Sequence, residues 1–246
     1  MQPSLYASFV NLILFDPDET QRPLLPDERR ARHVLEVLRR RVGDSFDVGL
    51  IDGPRGKATI VSLDAAGLRL SFEWGEEPPP IEPITLIVGL PRPQTARKVL
   101  EEATALGVST MHFVTSEHGD PGYGQSRLWS SGEWRRHVIA GAEQAFTTRL
   151  PAVTWGRRLT DVFEDLAAGG SRLALDNYDA PVGLGAIEAA SPVTIAIGPE
   201  RGWVDGERGV LRDAGFHFVH LGERVLRVVT ACVAAVALAR AKLGSM

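Results

Sequence analysis

The eight residues Glu76-Glu77-Pro78-Pro79-Pro80-Ile81-Glu82-Pro83 include four prolines. Each proline fixes φ and lacks the amide donor that a helix or an interior strand needs. The run is therefore a stiff extended connector, and it divides the chain. Before it, Phe46, Val48 and Leu50 alternate, a turn falls at Asp52-Gly53-Pro54-Arg55-Gly56, residues 58–63 form a second run, and Leu68, Leu70 and Phe72 alternate again after Gly67. That is a meander of short strands. After it, apolar runs alternate with helical periodicity, the pattern of an α/β domain. The expected division is 1–75 and 84–246, with 76–83 as linker.

Within the first part, residues 11–15 read as a strand. Asp27, after Pro26, opens a helix whose Ala31, Val34, Leu35 and Leu38 share one face. Within the second, 84–90 is a buried-type strand, 95–106 a helix stopped by Gly107, and 108–114 the next strand. A glycine-rich loop at 117–125 carries Tyr123, which with Trp129 offers either base stacking or ordinary packing. Helices are expected at 134–146 and 160–166, and a strand at 173–175 ending in Asp176-Asn177-Tyr178.

The chain carries 27 basic and 31 acidic residues, a formal net charge of −4, which argues against a general nucleic-acid coat. Between Arg22 and Arg41, however, seven arginines face only Asp27, Glu28 and Glu36. Such a segment is either a phosphate-neutralising patch or a solvated face. The single cysteine, Cys232, excludes a disulfide framework or a cysteine zinc site, and its Ala/Val-rich surroundings mark it as a small buried hydrophobe. No metal site is expected. The apolar run 9–15 lacks a basic flank and meets Asp16 at once, so it does not read as a targeting signal; the last apolar helix, 231–243, is too short to span a bilayer. These features lead to the expectation of a cytoplasmic protein without membrane partners.

Two apolar runs near the end, 194–197 and 216–221, each lead into a glycine-bearing loop and then a helix, and ligands bind at such strand ends. The first loop is Gly198-Pro199-Glu200-Arg201-Gly202, followed by Asp205 as a helix N-cap. The second runs from Leu221 to Thr230, with Thr230 as the expected cap of the last helix. Taken together and in order, IGPERGW and LGERVLRVVTA resemble the IGPEGG and LGPRILR-x-ETA signatures of the RsmE family, small-subunit rRNA uridine-N3 methyltransferases of the SPOUT class.

The resemblance implies a trefoil-knotted α/β domain with a parallel sheet, preceded by a small antiparallel PUA-like β-barrel that binds RNA. It further implies S-adenosylmethionine as cofactor, a homodimer, and 16S rRNA or the small ribosomal subunit as partner. The cofactor would lie against Leu175 and Asp176, against Gly198, Pro199, Glu200 and Gly202, and against Leu221, Gly222, Arg224 and Leu226. Arg224 and Arg227 are candidates to stabilise negative charge on a deprotonated uracil or to anchor phosphate. Glu200 is a candidate base, or receives a hydrogen bond from its own loop. The segment Gly141-Ala142-Glu143-Gln144, similar to the family's A-x-E-Q motif, makes Glu143 and Gln144 candidate RNA contacts, with Arg149 beyond it and Arg29 and Arg32 earlier. Arg201 stands where the family has its second glycine, and Val229 where it has the glutamate of R-x-E-T-A. These departures leave open a non-catalytic RNA-binding or ribosome-associated relative, or a methyltransferase acting on a different RNA.

Overall fold

The computed structural model describes residues 12–245. It divides into two compact units: residues up to Pro80 with Ala142–Leu150, and Ile81–Gly141 with the chain from Pro151 onward. The proline run is thus one boundary, but the chain returns to the first unit once more, which local composition at 142–150 does not signal.

The first unit contains β1 (Ile13–Phe15), the helical turn α1 (Arg29–Arg32), β2 (Ser45–Leu50), β3 (Arg55–Asp64) and β4 (Gly67–Trp74), with the sheet in the order β1-β2-β3-β4. The three later strands pair antiparallel, as their alternation and short turns require. β1 instead runs parallel to β2, so the expected wholly antiparallel sheet is corrected at that edge. Asn11 and the residues before it lie outside the described residues. Leu24 adds a bridge to Leu68 on β4. Phe15, Phe46, Val48, Ala58, Ile60 and Leu68 are buried together in one core, and Phe15 meets Phe72 edge-on at 5.2 Å. The helix expected from Asp27 to Leu38 is shorter: α1 passes into a wide π-type turn at His33–Val37, closed by the Leu38 amide on the His33 carbonyl. Val34 is fully buried there and Leu35 and Leu38 pack against the same core.

The second unit is a seven-stranded, all-parallel sheet: β5 (Ile84–Gly89), β6 (Thr110–Thr115), β7 (Ala152–Arg158), β8 (Ser171–Leu175), β9 (Val182–Gly183), β10 (Val193–Ile197) and β11 (His217–His220), in spatial order β7-β6-β5-β10-β8-β11-β9. β10 is buried at all five positions, the continuous apolar run expected of a strand covered on both faces. β7 was not expected from the sequence; Gly156, at φ +75°, accompanies a register shift against β6 that breaks its alternation. The helices are α2 (Pro93–Ala105), α3 (Arg127–Ser130), α4 (Glu133–Gln144), α5 (Asp205–Asp213) and α6 (Val228–Lys242). Trp203, Leu211 and Phe216 pack with Ala174, Ala196 and Phe218, which seats α5 on the sheet. Trp129 is buried and stacked on Trp155 at 5.3 Å, so it is packing and not a base platform. Among the described residues no helix is long and apolar enough to cross a membrane, and no cluster of His, Cys, Asp or Glu could hold a metal ion.

Candidate active site

A cavity of about 990 Å³ opens where β8, β10 and β11 end, within the range of small-molecule and cofactor pockets. Its walls are the turn after β8 (Leu175 to Tyr178), the loop after β10 (Ile197 to Gly202) and the segment from His220 to Ala231. All of the expected cofactor residues line it except Gly222, whose amide instead donates to Nδ1 of His220 at 3.0 Å.

The loop after β10 is held by backbone geometry. Gly202 sits at φ +74°, and its amide donates to the Pro199 carbonyl at 2.8 Å. Beneath it, a Cβ on Gly89 at the end of β5 would lie 2.4 Å from Cδ of Pro199, so only glycine lets the two segments approach. Arg201 is exposed and has no left-handed φ, so the family's glycine is not required there by the backbone. Both departures from the signature, Arg201 and Val229, line the cavity without closing it.

Glu200 has a definite task. Its Oε1 accepts from the Arg92 amide at 3.1 Å and from Oγ1 of Thr95 at 3.4 Å. Arg92 is the N-cap of α2 and has no side-chain cap of its own, so Glu200 supplies a carboxylate to the helix N-terminus, where backbone donors and the dipole favour negative charge. The hydrogen bonds come from a different element and not from its own loop, as had been the alternative expectation.

The turn after β8 is fixed by Asp176, whose side chain is almost wholly buried. One oxygen accepts from the amides of Tyr178 and Asp179 at 2.7 and 2.9 Å. The other accepts from Nε of Arg208 on α5 at 2.9 Å, and Arg208 also reaches Asp205 at 2.9 Å and lies over the Tyr178 ring. Burial works against the guanidinium's charge, yet the paired carboxylates hold its pKa above the ordinary arginine value. The Asp176 side chain therefore faces inward, and because its amide donates to the Val219 carbonyl at 3.1 Å, its carbonyl is the backbone group it offers to a ligand. Sequence reasoning identified Asp176 but missed Arg208, since nothing local links the two positions.

Exposed cations surround the opening. Arg92 and Lys98 from α2, Arg201, Arg224 and Arg227 all line the cavity. None has an ion-pair partner among the described residues. Arg92 and Lys98 were not anticipated, although the rule that ligands meet strand ends applied to β5 as well. α6 begins three residues earlier than expected: Arg227 is its N-cap, without a side-chain cap bond, and Val229 and Thr230 lie in its first turn. Thr230 is thus not the cap. Similarly, Val204 and not Asp205 is the N-cap of α5, and its amide donates to Glu207 at 3.0 Å.

The expected RNA contacts lie in the first unit and are engaged to different degrees. Glu143 accepts from the Leu14 amide at 3.1 Å and from Arg29 at 3.3 Å. Arg149 donates to the carbonyls of Asp52 and Pro78 at 2.7 and 3.1 Å. Arg32 donates to the Asp27 carbonyl at 2.6 Å. Gln144 is exposed. Arg149 and Arg32 thus hold backbone of their own unit.

The RNA methyltransferase domain family matches residues 77–240. A relative, ribosomal RNA small subunit methyltransferase E of Treponema pallidum (strain Nichols), is 33% identical over 240 residues, covering 93% of this chain and 90% of that protein. Among solved structures, a probable rRNA-methyltransferase from Porphyromonas gingivalis superposes with a TM-score of 0.79 at 25% identity over 95% of this chain and 98% of that one. A ribosomal RNA small subunit methyltransferase E from Neisseria gonorrhoeae, bound to S-adenosyl methionine, gives 0.77 at 24% identity over 94% and 97% of the two chains, a likeness of fold. With the two signature loops brought to one cavity and these matches spanning both units, the chain belongs to the ribosomal RNA small subunit methyltransferase E (RsmE) family.

Proposed function

We propose that this protein is an S-adenosylmethionine-dependent methyltransferase that methylates N3 of a uridine in 16S rRNA. The observation that carries the reading is the single cavity formed by the three loops after β8, β10 and β11. The residues present fit the cofactor. The backbone amides from Glu223 to Arg227 have no partner among the described residues, the turn at Asp176 and the loop at Gly198 to Gly202 present further backbone, and the volume suits a nucleoside-sized ligand. When bound, the cofactor supplies an electrophilic methyl group.

The chain itself must orient the uracil and favour its N3-deprotonated form. Arg224 and Arg227, exposed at the opening and without acidic partners among the described residues, stabilise the negative charge that develops on the uracil oxygens. Glu200 holds the cofactor loop against α2 and so acts by positioning. Because Arg201 and Val229 leave the cavity open, the catalytic reading is favoured over a non-catalytic one.

The finer architecture follows the same reading. β11 lies between β8 and β9 although it follows both in sequence, which supports a SPOUT-type trefoil knot. The β1–β4 sheet, extended by the Leu24 bridge, supports a PUA-like barrel that binds RNA. α6 leaves Val233, Ala234, Ala237 and Leu238 partly exposed, a face that suits a second copy in a homodimer. The rRNA substrate places the protein in the cytoplasm.

Calorimetric titration with S-adenosylmethionine tests the cofactor, and absence of heat and of thermal shift up to millimolar ligand would reject the reading. Mass spectrometry of nucleosides from 16S rRNA of a deletion strain tests the substrate: N3-methyluridine should disappear and return with the wild-type gene. Arg227→Ala should lower kcat by about 10²-fold, the order of losing one charge-stabilising donor, with RNA affinity retained. Weaker RNA binding with kcat intact would reassign the residue to phosphate.

A further inference from the structure

The arginines between Arg22 and Arg41 fall into two groups once their partners are known. Arg22 pairs with Glu28 at 2.5 Å and Glu19 at 3.4 Å, and Arg30 pairs with Glu19 at 2.6 Å and Glu28 at 3.1 Å. Arg29 reaches Glu143 and Arg32 the Asp27 carbonyl. Arg39, Arg40 and Arg41 differ: all three are exposed, and their guanidinium groups have no partner among the described residues.

Their backbone, by contrast, is tied down. The Arg40 amide donates to the Val34 carbonyl at 3.0 Å, the Arg41 amide to Asp44 Oδ2 at 2.8 Å, and the Gly43 amide to the Ile60 carbonyl at 2.9 Å. Arg39 takes φ +53°, unusual for a residue other than glycine. Runs of like charge are ordinarily extended and mobile because the charges repel. Here three adjacent cations are held on a bonded loop, flanked by Val37 and Val42, which are 64% and 58% exposed. A bonded loop whose three guanidinium groups have no acidic partner among the described residues is complementary to a polyanion whose charges repeat along a chain, and the backbone ordering that binding would require is already in place.

We propose that the Arg39–Arg41 loop docks the phosphodiester backbone of the RNA substrate, a role expected from the sequence for Arg29, Arg32 and Arg149. The proposal rests on the methyltransferase reading above. Such contacts fix the position of the RNA without reading its bases, and each phosphate contact steepens the salt dependence of affinity by about 0.7 on single strands or about 0.9 on duplex.

The test uses the full chain and a fluorescently labelled 16S rRNA transcript titrated over a range of potassium chloride. The triple variant R39Q/R40Q/R41Q should flatten the slope of log affinity against log salt by about 2–3, with the S-adenosylmethionine Kd and melting temperature unchanged. Arg29→Gln combined with Arg32→Gln should change the slope by less than about 1. Should the triple variant melt early, Arg40→Gln alone should still remove about 0.7–0.9. A triple-variant slope equal to wild type, or an equal loss in the Arg29/Arg32 pair, overturns the proposal while leaving the enzyme assignment standing. A wild-type protein that binds neither RNA nor cofactor overturns both.

Discussion

Arg208 lies 32 residues from Asp176 along the chain, yet their contact determines the shape of one cavity wall. Removing the guanidinium leaves a buried carboxylate without its cation, a change that costs about 3–5 kcal/mol when a buried pair is broken on one side. Arg208→Gln should therefore lower unfolding free energy by that order in urea melts. It should also raise the S-adenosylmethionine Kd at least tenfold by calorimetry, because the amides of Tyr178 and Asp179 lose a fixed acceptor. Arg208→Lys should recover part of the affinity, and adding Asp176→Asn to Arg208→Gln should be less damaging than the two single effects summed. Unchanged affinity in a destabilised Arg208→Gln would reduce the pair to a structural role. At this scale residue types were legible and partners were not. Asp176-Asn177 reads as a turn from its chemistry alone, whereas α5 had to be folded onto β8 before Arg208 could be seen beneath it. The same holds for Glu200, whose neighbours in sequence give no sign that its carboxylate accepts hydrogen bonds at the start of α2.

Among the elements, the segment from Asp16 to α1 is tied by the ion pairs of Arg22 and Arg30 with Glu19 and Glu28. Burial raises the Glu28 pKa, but hydrogen bonds from Arg22, the Leu25 amide and Arg30 outweigh this and bring it to about 2 from 4.5. The Glu19 carboxyl is held below the usual range chiefly by its hydrogen bond from Arg30. Since the folded values lie below the unfolded ones, this stabilisation is fully present above about pH 4.5 and is lost as pH falls toward about 2. Urea melts across that window should show stability falling, and Glu28→Gln should remove part of the slope; an unchanged slope would mean the network contributes nothing measurable. Periodic elements with clean alternation, such as β2 and β4, were legible in the sequence because a half-buried strand records its two faces in its residues. β7 was not, because Gly156 shifts its register, nor was β9, which is only two residues long. The start of α6 was misplaced because threonine is a good cap by type, while the helix instead begins after Arg227 with no side-chain cap bond.

For the whole molecule, the proline run predicted one cut, whereas the chain passes between the two units three times. Residues Ala142–Leu150 belong with the first unit: Thr148 donates to the Gly53 carbonyl at 2.6 Å and Glu143 accepts the Leu14 amide. A fragment beginning at residue 84 would carry these groups without their partners. It should melt below the intact chain and regain stability when mixed with the piece ending at residue 80; equal melting temperatures would show that 142–150 is dispensable to both. The parallel sheet was foreseeable from alternating strand and helix patterns, but its order was not, because sequence adjacency says nothing of which strand is inserted between which. That order has a consequence for biosynthesis. The ribosome delivers β8 and β9 before β11 exists, so a nascent chain must leave a slot open between them. The third wall, completed only at Ala231, arrives last of the three, and a methyl donor can be captured only after that segment has emerged.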